Sequence, residues 1–252
     1  MDNKKNEVLS RLLLLGTVHG DPDGLARARR FLDSHQPDLV LVELSPFGLS
    51  FRRRHQGRLQ RTLARNLREA ASRSCLSFRQ ALKHSEIRSI RRQLALPFEF
   101  RAAASYAGKS PSRLLLVDSS TFSRTCIESW PELISTENLV HLLATPGDAP
   151  GDRDTYRLAA RRIEGGTFAA VLRMLEAGRE VDSRWEERER FMAEQIRAAL
   201  DVFRPRLAIY LGGWWHLTSG GGIATLRDLL ETPFSCCHLL GRDLHGSREA
   251  AG

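Results

Sequence analysis

Residues Arg11–Leu44 read RLLLLGTVHGDPDGLARARRFLDSHQPDLVLVEL, and this stretch decides the fold. RLLLLG (Arg11–Gly16) is a short apolar run ending in glycine, and TVHGDPDG supplies turn residues after it. Leu25–Ser34 has the apolar spacing of a helix, Pro37 closes it, and DLVLVEL (Asp38–Leu44) reads as a second buried strand. Strand, helix and strand within about 35 residues make a βαβ unit, whose crossover requires the two strands to be parallel.

Working outward, LLLVD (Leu114–Asp118) and RLAIYL (Arg206–Leu211) are a third and a fourth apolar run of strand length. Helical patterns are predicted from about Phe51 to Tyr106, with breaks near Ser72–Ser77 and at Pro97, then over Pro131–Leu143, Thr155–Ala177, Ser183–Phe203 and Ile223–Glu231. Thr145–Asp154 is a polar loop rich in Gly, Pro and Asp. At 252 residues the chain can bury a full core, so the prediction is one α/β domain. Its mostly parallel central sheet is flanked by helices, and an arginine-rich helical insertion occupies about 51–106.

The net charge of +8 is carried by arginine, since lysine occurs only at Lys4, Lys5, Lys83 and Lys109. Between Arg52 and Arg92 thirteen basic residues face Glu69 and Glu86 alone. Arg54, Arg58, Arg61, Arg65 and Arg68 recur every three or four residues, on a different helix face from Leu59, Leu63 and Leu67. Such a face can track phosphates, meet an acidic substrate, or simply be solvated. Phe78 is the one aromatic residue among these arginines and no helix-turn-helix, KH or RRM signature accompanies them, which weighs against nucleic acid as a partner.

No apolar run is long enough to span a membrane, and Leu12–Leu15 is too short for the apolar region of a signal peptide. A cytoplasmic protein is therefore expected. Cysteine usage agrees, because Cys75 and Cys126 are isolated and Cys236 and Cys237 are adjacent. In a strand, adjacent cysteines point to opposite faces, so Cys236, Cys237, His238 and His245 are not expected to chelate a metal together.

Each apolar run is followed by a side chain able to do chemistry: His19, Glu43, Asp118 and His216 in turn. Parallel sheets bind ligands outside the carboxyl ends of their strands, so these four are predicted to share one rim. Two imidazoles and one or two carboxylates suit a divalent metal with open positions for water. They equally suit metal-free acid–base work, with a histidine as base and Glu43 orienting it. Taken singly, His19 also reads as a hydrogen-bonded loop residue and Asp118 as a turn cap before Ser119 and Ser120.

Four segments together carry a resemblance: LLGTVHGDPDG, PDLVLVELSPF, EERERFMAEQI and LGGWWHLTSGGGIATLRDLL. Their order and spacing resemble the TraB/PrgY/GumN family, a group related to the TIKI proteases and more distantly to ChaN and erythromycin-esterase-like proteins. The family's two GxxH motifs match Gly16 with His19 and Gly213 with His216, and its PDxVxxEL acid matches Glu43. Its Glu-Arg pair matches Glu187 and Arg188, and an acid in the helix before the third strand matches Glu99.

The resemblance implies an α/β fold with a divalent-metal or His/Glu site and, for the TIKI branch, metal-dependent proteolysis with manganese or cobalt, His19, Glu43 and His216 being metal ligands or the activators of a water; zinc suits the same donors. Glu187 would be a further ligand or the general base, and Arg188 would stabilise an oxyanion or clamp a carboxylate. Glu43 would also take part in catalysis, with Gly16, Glu99, Asp118, Gly213, Trp214 and Trp215 around the substrate. Where the family has small residues, Trp214 and Trp215 either narrow the pocket or pack in the core. The alternative function is a non-catalytic protein that binds a peptide, haem or another small molecule in the same cleft.

The helix at Ser183–Phe203 adds a constraint of its own. Trp185, Arg188, Met192, Ile196, Ala199 and Phe203 form one stripe, and Glu187, Phe191, Glu194 and Ala198 form a neighbouring face. Arg188 on the apolar stripe needs a carboxylate partner, with Glu43 and Asp118 as candidates.

Overall fold

The computed structural model describes residues 11–145, 152–163, 183–219 and 224–241. In chain order the elements are β1 (Leu12–Thr17), α1 (Gly24–His35), β2 (Leu39–Val42), α2 (Pro46–Arg73), α3 (Phe78–Lys83), α4 (Ser85–Leu94) and α5 (Phe98–Ala107). There follow β3 (Arg113–Leu116), α6 (Ser120–Glu128), α7 (Trp130–Leu133), α8 (Thr136–Ala144), α9 (Asp152–Ile163) and α10 (Ser183–Phe203). The chain closes with β4 (Ala208–Gly213), a 3-10 turn (Trp214–Leu217), α11 (Leu226–Leu229) and β5 (Cys237–Leu239).

These elements make two compact units, one built from Met1–Leu44, Phe98–Ser119 and Asp152–Gly252, the other from Ser45–Pro97 and Ser120–Gly151. The helical insertion expected over 51–106 is thus shared out. Its part up to Pro97 belongs to the second unit, whereas α5 belongs to the first and packs on α1.

The first unit is α/β, with a five-stranded, all-parallel sheet in the order β3-β2-β4-β1-β5. All four residues of β2 are buried, as are all six of β4, so these central strands read as unbroken apolar runs rather than alternating ones. Register sets the chemistry. Thr17 pairs with Gly213 and Val42 with Leu211, which brings the ends of β1, β2 and β4 to one edge. The connections leaving β1 and β4, two adjacent strands, run in opposite directions along the sheet, the arrangement that opens a crevice at the strand ends. Leu12, Leu14, Leu39, Leu41 and Tyr210 from the strands meet Met192, Ile196 and Leu200 of α10 in the core.

The second unit is helical. Leu59, Leu63 and Leu67 of α2 bury themselves with Ile87, Ile90 and Leu94 of α4, Trp130 of α7 and Leu139 of α8. The break expected near Ser72–Ser77 is present. Cys75 takes a φ of 54° there, and Ser77 opens α3 with a capping box to Gln80. Expected helical residues 164–177 and residue 223 lie outside the described residues, as does His245. Among the described residues no helix is long and apolar enough to cross a membrane.

Candidate active site

Glu43 follows β2 and is the hub of the site. Its Oε1 accepts from Arg188 Nη2 at 2.5 Å and lies 3.0 Å from His216 Nε2, while its Oε2 accepts the Gly213 N–H at 2.6 Å. The side chain is 9 % exposed. Burial alone would raise the Glu43 carboxyl; the charges of His216 and Arg188 overcome that and hold it well below the usual carboxylate range. Arg188 also forks onto Asp118, at 2.7 Å through Nε and 3.0 Å through Nη2, so both acids expected as its partner are used.

His216, in the 3-10 turn after β4, is 2 % exposed and lies between two carboxylates. Its Nδ1 is 2.5 Å from Glu189 Oε1, an ion pair set off the N–H axis, and its ring stacks on Trp185 at 5.9 Å. Burial by itself would lower the imidazole, but Glu43 and then Glu189 push it up to about 10. His216 is therefore a buried cation at neutral pH. The hydroxyl of Tyr210 is buried among the same acids, which keep its proton in place well above the ordinary tyrosine range after burial has already raised it.

His19 differs in being open. Its side chain is 66 % exposed, and its Nδ1 lies 3.1 Å from Oε1 of Glu99, an acid 3 % exposed in the first turn of α5. Thr17 Oγ1 donates to the same Glu99 oxygen at 2.7 Å. Enclosure by neighbouring atoms acts to lower the imidazole, and the Glu99 hydrogen bond and charge, with that of Glu43, raise it on balance. Solvent around the ring screens these charges. In the neutral ring a carboxylate on Nδ1 selects the tautomer with the proton there, which places the lone pair on Nε2.

Glycine lets His19 reach the cluster. A Cβ on Gly213 would stand 2.9 Å from His19 Nε2 and 3.4 Å from Glu43 Oε2, so glycine leaves room for His19 in this position and a side chain would push its ring aside. Gly20 takes a φ of 93° directly after His19, which turns the chain back toward α1. Gly16 serves packing instead: a Cβ there would meet Trp214 Cα at 3.0 Å.

Glu187 is exposed and does not reach the cluster. Glu189, two residues on and 1 % exposed, holds that place, with Oε1 on His216 and Oε2 accepting the N–H of Leu226 at the start of α11. The reason is helical periodicity. Glu189, Ala193, Ile196 and Leu200 lie along one buried line of α10, whereas Phe191 and Glu194 share the outward face with Glu187. That buried line was the signal for Glu189 in the sequence. Trp214 is 7 % exposed and belongs to the core, while Trp215 is 38 % exposed, stacked on Trp214 at 4.6 Å, with Arg162 over both rings.

No family model, curated protein or solved structure matches this chain. The likeness to the TraB/PrgY/GumN family rests on the sequence motifs alone.

A divalent cation suits this donor set in kind. Both imidazoles have Nδ1 against a buried carboxylate, with His216 Nε2 on Glu43 and His19 Nε2 over Gly213, and outer carboxylates of this sort orient metal-binding histidines. The set is not assembled as a ligand shell. Among the described residues no three His, Cys, Asp or Glu side chains are placed to hold one ion together, because Glu43 is drawn onto Arg188, His216 and the Gly213 N–H.

Proposed function

We propose that the chain is a hydrolase whose reacting group is His19, working above the buried cluster of Glu43, Arg188 and His216. The observation that carries this reading is the His19–Glu99 pair: an exposed imidazole with a buried carboxylate on Nδ1 and its Nε2 turned to the strand edge. In such a pair the carboxylate orients the ring and stabilises the imidazolium that forms when Nε2 takes a proton from water or substrate. Arg188 and His216 hold Glu43 ionised and fixed beneath that point. Exposed Trp215 offers an aromatic surface on the turn that carries His216. By its resemblance to the TIKI proteases, the substrate class is a peptide.

A second reading is favoured by the two carboxylate-backed imidazoles, which is how a metal site is built. His19, Glu43 and His216 would hold manganese, cobalt or zinc. The ion, when bound, supplies a Lewis acid and lowers the pKa of its water. The chain's part would then be to aim both rings through Glu99 and Glu189, with His216 giving up the Nε2 proton it holds in the metal-free cluster.

Hydrolysis of a mixed-sequence peptide library, with protein purified without chelator, tests these readings. Turnover that survives EDTA and is abolished in His19→Ala is the expected result. Turnover lost in EDTA and restored by manganese, cobalt or zinc selects the second reading. Absence of turnover under every condition, or full activity in His19→Ala, contradicts both and leaves a ligand-binding role for the cleft.

A further inference from the structure

The helical unit carries a surface for which the proposed hydrolytic site has no use. Ser45–Pro97 and Ser120–Gly151 contain fourteen Lys and Arg against six Asp and Glu, a net +8 that equals the formal charge of the whole chain. The remainder of the molecule is formally neutral.

Within that unit the charge is ordered. At 100° per residue, Arg54, Arg58, Arg61, Arg65 and Arg68 of α2 fall within about 80° of arc, centred opposite the buried line of Leu59, Leu63 and Leu67. All five arginines are exposed. The row is about 21 Å long at 1.5 Å per residue. No carboxylate among the described residues is in ion-pair reach of any of the five; Arg65 turns to Asn66, and Arg68 to the Ala64 carbonyl and the ring of Phe78. Like charges three and four residues apart destabilise a helix, so this row works against the stability of the helix that bears it.

From this we infer that the outer face of α2 docks the phosphate backbone of duplex nucleic acid. A straight row of guanidinium groups matches a linear array of phosphates, which each guanidinium can fork. At 3.4 Å of duplex axis per phosphate on each strand, a 21 Å length of duplex carries about six phosphates per strand, enough for the five arginines. The face has no apolar side chain in the row to enter a bilayer, which distinguishes it from a membrane-surface helix. Nor does the row include an aromatic ring for stacking on single-stranded bases, so recognition is of the backbone and independent of sequence. A charged ridge that contacts only phosphates requires none of the helix-turn-helix, KH or RRM signatures.

The test is fluorescence anisotropy of the full chain with a labelled 24-base-pair duplex of mixed sequence, from 50 to 200 mM NaCl. Five phosphate contacts give a slope of log K against log salt of about −4.5, a loss of about 500-fold over that range. Arg58→Gln/Arg61→Gln/Arg65→Gln leaves two contacts, and the slope falls to about −1.8, a loss of about 12-fold. Glutamine keeps helix propensity, and circular dichroism confirms that the variant is folded. Arg29→Gln/Arg30→Gln, exposed on α1, leaves the slope unchanged. The inference is overturned if the duplex does not bind at 50 mM salt, if the triple variant keeps the wild-type slope, or if the α1 variant lowers it equally. Binding to phosphatidylserine vesicles without binding to duplex also overturns it.

Discussion

Arg188 shows how a single residue ties the site to the fold. It is 8 % exposed and bonds two acids that follow different strands, Glu43 and Asp118. Truncation leaves both carboxylates buried without their cation, so Arg188→Ala is expected to cost about 3–5 kcal/mol in urea unfolding; a loss below about 1 kcal/mol would contradict the network. The two acids beside it separate by burial. Glu189→Gln is expected to destabilise by roughly 1–3 kcal/mol, and Glu187→Gln to change stability by no more than about 0.5 kcal/mol. Equal effects would mean that the register of α10 differs from that described. At this scale the sequence was most readable for charges next to apolar stripes: Arg188 on its stripe called for Glu43 or Asp118, and it holds both. The Glu-Arg motif falls on Glu187 and Arg188 and does not mark Glu189; the buried line through Ala193 and Leu200 is the feature that points to it.

Secondary structure was legible where local chemistry decides it. The βαβ unit of Arg11–Leu44 is present with its two strands parallel and β4 between them, as are the strands near Leu114 and Leu211. Two features needed tertiary information. Gly212 and Gly213 lie beyond the apolar run Arg206–Leu211, yet they extend β4 because pairing with β1 supplies their hydrogen bonds. β5 is three residues long and its pairing with β1 is wholly non-local, so no periodicity could announce it. Cys237 in β5 is buried and its thiol is pushed up to about 11 by burial, whereas Cys75 and Cys126 are exposed. Alkylation at pH 8 followed by peptide mapping is expected to modify Cys75 and Cys126 first and Cys237 last. Early modification of Cys237 would place β5 at the surface instead.

For the whole molecule, the buried charges make stability depend on pH. The His216 pKa is raised on folding, so its contribution is complete below the unfolded value of about 6.5 and is lost as pH rises toward about 10. Glu43 is depressed, and its contribution is present above its unfolded value and lost as pH falls through the folded one. Urea midpoints of chelator-treated protein should therefore decline steadily between pH 6.5 and 10, and a flat profile would mean that His216 is not held as a cation. The central contrast is between the two histidines, His19 open and proposed as the base and His216 enclosed between two carboxylates. It is read most directly from the imidazole ¹⁵N resonances of chelator-treated protein followed from pH 5 to 10. His19 is expected to lose its charge first, leaving the proton on Nδ1 beside Glu99, while His216 stays protonated on both nitrogens beyond that pH. A neutral His216 at pH 7, or a neutral His19 with its proton on Nε2, would contradict it.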